Sequence, residues 1–91
     1  MPNKGSFEPE IHLRHLSVEE ATYRLEKHLD NAFVKGINQV RIIHGKGSGT
    51  ISKAVWILLE EHPLVKSFRF ADYGDGDHGV TITEMEERNP S

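Results

Sequence analysis

The chain has no cysteine. That removes disulfide bridges, thiolate zinc sites and a cysteine nucleophile, and it suits a reducing compartment such as the cytoplasm. No apolar run is long enough to span a bilayer, and Met1-Pro2-Asn3-Lys4-Gly5 lacks the apolar core of a secretion signal. These absences point to a cytoplasmic protein without a membrane partner. Positive charge is also scarce: 11 Lys and Arg against 14 Asp and Glu leave a formal net charge of −3. Nucleic-acid-binding domains are typically basic, so the total argues against nucleic acid as a first expectation. The distribution qualifies the total. Acidic side chains collect at Glu8, Glu10, Glu19, Glu20, Glu60 and Glu61 and in the tail at Glu84, Glu86 and Glu87. Arg14, Arg41, Lys46, Lys66 and Arg69 fall on or beside expected strands, which leaves room for a local basic surface on an acidic protein.

What is present is a chain of 91 residues, 36% hydrophobic and 27% charged, the size of one domain with a single two-layer core. Residues 1–9 are polar and aperiodic and read as a flexible leader, 10–85 as the domain, and 86–91 as a flexible tail. Glu10-Ile11-His12-Leu13-Arg14 alternates like a strand with Ile11 and Leu13 inward. Ser17-Val18-Glu19-Glu20 has the capping-box pattern, in which Ser17 and Glu20 each satisfy a backbone N–H of the other. Val18, Ala21, Leu25, Leu29, Ala32 and Phe33 then keep helical spacing as far as Gly36, a natural stop. Gln39 to His44 is a second strand, and Thr50 opens a second helix that Pro63 ends. Val65 to Ala71 and Val80 to Glu84 read as strands joined by the turn-rich Asp72 to Gly79.

The order βαβαββ, with right-handed crossovers, predicts a two-layer α/β sandwich: a mixed four-stranded sheet with both helices on one face. The expected core is Ile11, Leu13, Leu25, Leu29, Phe33, Val40, Ile42, Val55, Leu58 and Ile82. The opposite face, with His12 and Arg14 on the first strand, is left open to water or a partner.

The stretch Val40-Arg41-Ile42-Ile43-His44-Gly45-Lys46-Gly47-Ser48-Gly49-Thr50 carries the most chemistry. A β-branched run feeds a glycine loop, and a helix follows at once. Glycine bares the backbone N–H groups, and a helix N-terminus adds unpaired N–H groups and a positive dipole end. Such a corner suits a phosphate. The plain alternative is that the glycines only make a turn; His44 and Lys46 tilt the balance toward a site. The P-loop and dinucleotide patterns are both absent, whereas a nucleic-acid phosphate needs only a few N–H groups and one cation.

Ligands of open α/β sheets bind beyond the carboxyl ends of the parallel strands. There Arg14-His15, His44 to Gly49, and Asp72 to Gly79 should meet, bringing His15, His44, Lys46 and His78 to one edge. His44 is the candidate general acid or base, set at a strand end and clear of the core. Lys46 is a candidate phosphate contact. His12 reads as an exposed strand residue, with a role as base the alternative. Trp56 and Phe68 read as packing rather than base-stacking platforms. Arg41 and Arg69 read as solvated charges that, with Arg14, would track a phosphate backbone. Asp75-Gly76-Asp77-His78-Gly79 fails the EF-hand pattern and no His-Glu-x-x-His occurs, so no metal site is expected. Cofactor use is left open.

His44-Gly45-Lys46-Gly47-Ser48-Gly49 resembles the His-Gly-x-Gly motif of the small MutS-related (Smr) domain family. Ile11-His12-Leu13-Arg14 and Ser17-Val18-Glu19-Glu20-Ala21 resemble that family's opening Leu-Asp-Leu-His/Arg segment and first helix, in the bacterial form that ends in Arg. His62-Pro63-Leu64-Val65-Lys66-Ser67-Phe68 and Gly79-Val80-Thr81 extend the likeness over residues 10–85. The resemblance implies a fold like the C-terminal domain of bacterial translation initiation factor three, with the last strand antiparallel and between strands two and three. It implies nucleic-acid binding, in several members an endonuclease that nicks DNA or cuts RNA, and a link to stalled ribosomes. His44, Gly45 and Gly47 match the family loop, and Arg14 matches the end of its first motif.

The expected partners are therefore DNA or RNA, with the ribosome as a further one. The expected contacts are Arg14, His15, Gly45, Lys46, Gly47, Ser48, Gly49 and His78, with His44 and His12 as the catalytic candidates. Two departures stand out: His12 occupies a usual Asp position and His15 a usual Gly position. One function is an endonuclease in which Lys46 and the loop N–H groups stabilise charge on the phosphate and Arg14 positions the strand. The other is a binding module that no longer cuts, which the loss of the acidic residue at His12 favours.

Overall fold

The protein is described from a computed structural model covering residues 8–87. The expected leader and tail lie largely outside the described residues. The elements are β1 (Glu10–His12), α1 (Val18–Val34), β2 (Gln39–Ile43), α2 (Thr50–Glu61), β3 (Val65–Phe70), a short 3-10 turn (Asp77–Gly79) and β4 (Val80–Met85). The sheet order is β1-β2-β4-β3, with β1 parallel to β2 and β4 antiparallel to both of its neighbours. This is the expected mixed sheet, with the last strand between the second and the third. No helix among the described residues is long and apolar enough to cross a membrane.

α1 begins as its sequence dictates: the Glu20 N–H donates to Ser17 Oγ at 3.1 Å. The reciprocal half of the capping box is not made. The Glu20 carboxylate instead accepts from Arg24 Nε at 2.6 Å, one turn further on. At the other end Gly36 has φ +73, and the N–H groups of Gly36 and Ile37 return to the carbonyls of Phe33 and Ala32. That is the Schellman closure, which needs a left-handed residue where glycine carries no Cβ penalty. β1 is shorter than its alternation suggests. Its ladder stops at His12, although Leu13 N–H still reaches the Ile43 carbonyl at 2.8 Å, and the backbone then turns at His15.

Leu13, Ala21, Leu25, Leu29, Ala32, Val40, Ile42, Val55 and Leu59 form one buried cluster between sheet and helices, so both helices cover one face. Ile11, Phe33 and Leu58 sit partly buried at its margin. Ile82 is core, as expected, but not in this cluster. The register pairs Val40 with Thr83 and Ile42 with Thr81, so β4 turns two threonines toward the helices. Ile82 points the other way, into a small second cluster with Ala71, Val80 and Ile43. The face opposite the helices is therefore not bare. Arg41 lies on it, held by Glu10 Oε2 at 3.2 Å, and donates to the Asp75 carbonyl at 3.3 Å, drawing the loop between β3 and β4 across the sheet.

Thr83 is fully buried, and its hydroxyl has no hydrogen-bond partner among the described residues. An unpaired buried hydroxyl costs about 1–3 kcal/mol. Thr83→Val should raise the unfolding free energy by about 1 kcal/mol, read by urea denaturation. A lower denaturation midpoint would show that the hydroxyl is paired in solution.

Candidate nucleic-acid interface

The alternation that buries Val40 and Ile42 continues past β2 and turns His44 inward. The residue is only 5% exposed, so the expectation that His44 stands clear of the core is corrected. Nδ1 lies 3.0 Å from the Gly45 carbonyl, which can only accept, so Nδ1 carries the proton. Nε2 lies 2.7 Å from Thr81 Oγ1, and the Trp56 indole N–H donates to that same oxygen at 2.9 Å. One assignment satisfies every atom: Trp56 N–H to Thr81 oxygen, Thr81 O–H to His44 Nε2, and His44 Nδ1–H to the Gly45 carbonyl. Burial holds the His44 pKa below the ordinary histidine value, with the Gly45 bond opposing, so the ring is neutral near pH 7.

The glycine loop hangs from this chain. Gly45, Gly47 and Gly49 have φ of +79, +34 and +85, a left-handed region that suits glycine. The N–H groups of His44 and Gly45 both donate to the Gly79 carbonyl, at 3.1 and 2.9 Å, tying the loop to the start of β4. Arg14 lies across the bare backbone of Gly45: a Cβ there would stand 3.4 Å from Arg14 Cγ and Nε. Around Gly47 nothing lies within 4 Å of that position. Gly49 is the N-cap of α2 and offers no side-chain cap. The first helical bond is Lys53 N–H to Gly49 at 2.9 Å, so the Ile51 and Ser52 N–H groups precede the ladder. Ser48 Oγ bonds Thr50 Oγ1 at 2.8 Å. Lys46 Nζ rests 3.4 Å from Asp77 Oδ2 with its side chain 64% exposed.

Arg14, Gly45, Lys46, Gly47, Gly76 and Gly79 line an open basin of about 430 Å³. Three segments distant in sequence thus converge at one edge, as the strand order requires. Other candidates lie elsewhere. His12 is exposed on the face opposite the helices, 3.5 Å from Glu10 Oε1, so the His12 and His44 rings point to opposite sides of the sheet. His78 turns to Phe70, edge-on at 4.7 Å, and does not line the basin. His15 is exposed in the turn after β1. Arg41 and Arg69 are engaged with Glu10 and Asp72 and do not join Arg14. Thr81, Trp56 and the Gly79 carbonyl, which shape the loop, escaped the motif-based reading. Their one local signal is a threonine at an inward strand position. No group of three or more His, Asp or Glu among the described residues is gathered to hold a metal ion.

The family model of the Smr domain matches residues 11–86. The chain belongs to the Smr domain family. It is 51% identical over 79 residues to the endonuclease MutS2 of Thermomicrobium roseum and 43% identical over 83 residues to that of Clostridium beijerinckii. Those alignments take in 87% and 91% of this chain but only 10% and 11% of the relatives, so the chain spans about a tenth of their length. The crystal structure of the Smr domain of Thermus thermophilus MutS2 matches with a TM-score of 0.83 at 36% identity, covering 85% of this chain and 96% of that one. YdaL, a stand-alone small MutS-related protein from Escherichia coli, shares the fold with a TM-score of 0.82 at 24% identity, over 87% of this chain and 65% of its own.

This Smr domain keeps a glycine-like backbone at a position that its side chain does not favour. His15 has φ +68, where non-glycine residues carry a penalty of roughly 1–2 kcal/mol. His15→Gly should raise the thermal midpoint despite the added chain entropy, and His15→Val should lower it. Equal midpoints for the three proteins would remove the strain argument.

The buried His44 makes stability depend on pH. Its folded pKa lies below the ordinary 6.5, so its contribution is whole above about pH 6.5 and is lost as pH falls and the unfolded chain takes up protons first. The lowered pKa of part-buried His28 acts in the same direction. The thermal midpoint should drop between pH 7 and pH 5. Thr81→Val should cost about 2–3 kcal/mol at pH 7 by stranding His44 Nε2 and the Trp56 N–H, while Thr81→Ser should retain most of the stability. A neutral Thr81→Val would break the proposed chain of bonds.

Proposed function

We propose that this Smr domain binds the sugar–phosphate backbone of DNA or RNA on its glycine loop and cleaves a phosphodiester there. One observation carries the reading: the backbone at Gly47 is unobstructed, between Arg14 laid over Gly45 and the start of α2, whose N-cap Gly49 offers no side chain. A phosphate seated there meets N–H groups, a helix N-terminus, Arg14 and Lys46 together. The Lys46–Asp77 pair is exposed and worth no more than about 1 kcal/mol, so a phosphate displaces Asp77 at little cost. The relatives named as endonucleases support cleavage as the activity, and a ribosome-bound RNA is one setting in which such a substrate is presented.

In this reading Lys46, Arg14 and the loop N–H groups stabilise charge on the phosphate. His44 is the acid or base. It is neutral, and it moves a proton only by releasing Thr81 or the Gly45 carbonyl. That commitment of both ring nitrogens favours a second reading, in which the domain docks on nucleic acid without cutting and His44 serves the loop's shape. His12, on the far face, adds to that second reading.

Lys46→Ala should weaken binding of every sequence and lower the slope of log affinity against log salt by about one unit. Gly47→Val should lower affinity beyond any change in stability, by filling the open backbone. Unchanged affinity in both variants would sink the phosphate site. Supercoiled plasmid and single-stranded RNA separate the two functions. If the wild type cuts, His44→Ala should lower the rate by roughly a hundredfold or more, with folding checked by circular dichroism because the ring is buried. Retained binding without cutting, in wild type and His12→Asp alike, selects the docking module.

A further inference from the structure

On the α2 side of the glycine loop lies a second concavity that the phosphate reading leaves unused. Gly49, Ser52, Lys53, Trp56 and Phe70 line an open groove of about 280 Å³. Gly49 and Ser52 also line the small hollow at the mouth of the loop, so groove and loop are continuous. The groove wall is aromatic and fixed. The Trp56 and Phe70 rings lie 4.6 Å apart with planes 32° from parallel, and Phe68 closes on Trp56 edge-on at 4.8 Å. The indole N–H is tied to Thr81 at 2.9 Å, so the ring cannot swing away. Phe70 is also met edge-on by His78 at 4.7 Å. Both rings are only part-buried. At the rim stands Lys53, exposed and in no ion pair among the described residues.

We propose that this groove takes an unpaired nucleobase, so that the domain holds a single strand with one phosphate on the glycine loop and an adjoining base against Trp56 and Phe70. The proposal rests on the phosphate reading above and deepens it. Ser52, at the loop, and Trp56, at the groove, are one helical turn apart, which matches the step from a phosphate to a neighbouring base. An aromatic face accepts any base by stacking, and an already fixed face loses little freedom when it does so. Lys53 supplies a cation beside the base for the next phosphate along the strand. A base inside a duplex is covered by its neighbours and cannot enter, so the groove distinguishes single strands from duplexes without reading sequence.

Trp56 is the only tryptophan in the chain, so its emission reports on the groove directly. The full chain is titrated with fluorescently labelled oligo-dT, with oligo-U, and with a duplex of equal length, following label anisotropy and Trp56 emission together. Trp56 emission should be quenched in step with single-strand binding and should be unchanged by the duplex. Inorganic polyphosphate, an anion without bases, should compete for the loop without quenching. Phe70→Ala should weaken single-strand binding roughly tenfold and leave duplex binding within about twofold. Should Phe70→Ala unfold, the surface change Lys53→Glu should weaken single-strand binding more than duplex binding.

Single-strand binding that is sensitive to Lys46→Ala but leaves Trp56 emission unchanged would overturn the base site while keeping the phosphate loop. Quenching that follows protein concentration alone would assign the groove to a second copy of the chain and overturn the proposal. No anisotropy change with any nucleic acid would remove the phosphate reading and the base site with it.

Discussion

The loop geometry depends on a buried chain of three hydrogen bonds. Trp56 donates to Thr81, Thr81 to His44, and His44 to the Gly45 carbonyl. These bonds join α2, β4, the end of β2 and the glycine loop. In a low-dielectric interior each bond is stronger than in water, and each unmet partner is more costly, so such a chain holds best when complete. Turning the Gly45 carbonyl inward commits it to the core and leaves the backbone beyond it, at Gly47, facing out. Burial that keeps His44 neutral also preserves Nε2 as an acceptor, without which the Thr81 hydroxyl proton would lack one.

The chain of bonds exists because of where β4 runs. Lying antiparallel between β2 and β3, β4 starts beside the end of β2 and brings Gly79 and Thr81 to His44 and Gly45. The Gly79 carbonyl accepts two N–H groups of the loop, and Thr81 meets the imidazole one pleat further on. A Cβ at Gly79 would stand 3.4 Å from Lys46 Cγ and 3.6 Å from the Gly45 backbone, so the close approach of the two segments relies on a small residue there. The central position also explains why β4 is almost entirely buried. Its threonines lie under the helices, and Val80 and Ile82 lie under the folded-back loop.

Much of this was legible from local pattern. The helical spacing of α1, the Ser17 cap and the Gly36 stop are short-range features, and each is seen in place. The element order constrained the helices to one face through the handedness of the crossovers. The place of β4 beside β2 came from family resemblance alone, since its β2 partners lie about forty residues away along the chain. What stayed hidden depends on those distant partners. Ile82 reads as core from its side chain and is core, but only the register shows that it packs on the face away from the helices. Glu20 reads as half of a capping box, yet Arg24 competes for it one turn away. His44 obeys the strand alternation set by Val40 and Ile42, but a histidine next to glycines reads as an exposed site. Its hydrogen-bond partner lies 37 residues further along, so the bond to Thr81 is beyond the reach of any local pattern.

The fold also reconciles an acidic chain with a local group of cations. On the face opposite the helices the arginines are compensated: Arg41 by Glu10 and Arg69 by Asp72. At the loop edge the balance is different. Among the described residues Arg14 and Lys53 enter no ion pair, and Lys46 has only the loose contact with Asp77. The N-terminal end of α2 adds its dipole to the same place. A net charge of −3 is thus an average that leaves Arg14, Lys46 and Lys53 beside one bare stretch of backbone. Attraction of a polyanion is governed by the local field within about a Debye length, ~10 Å at moderate salt, and not by the total.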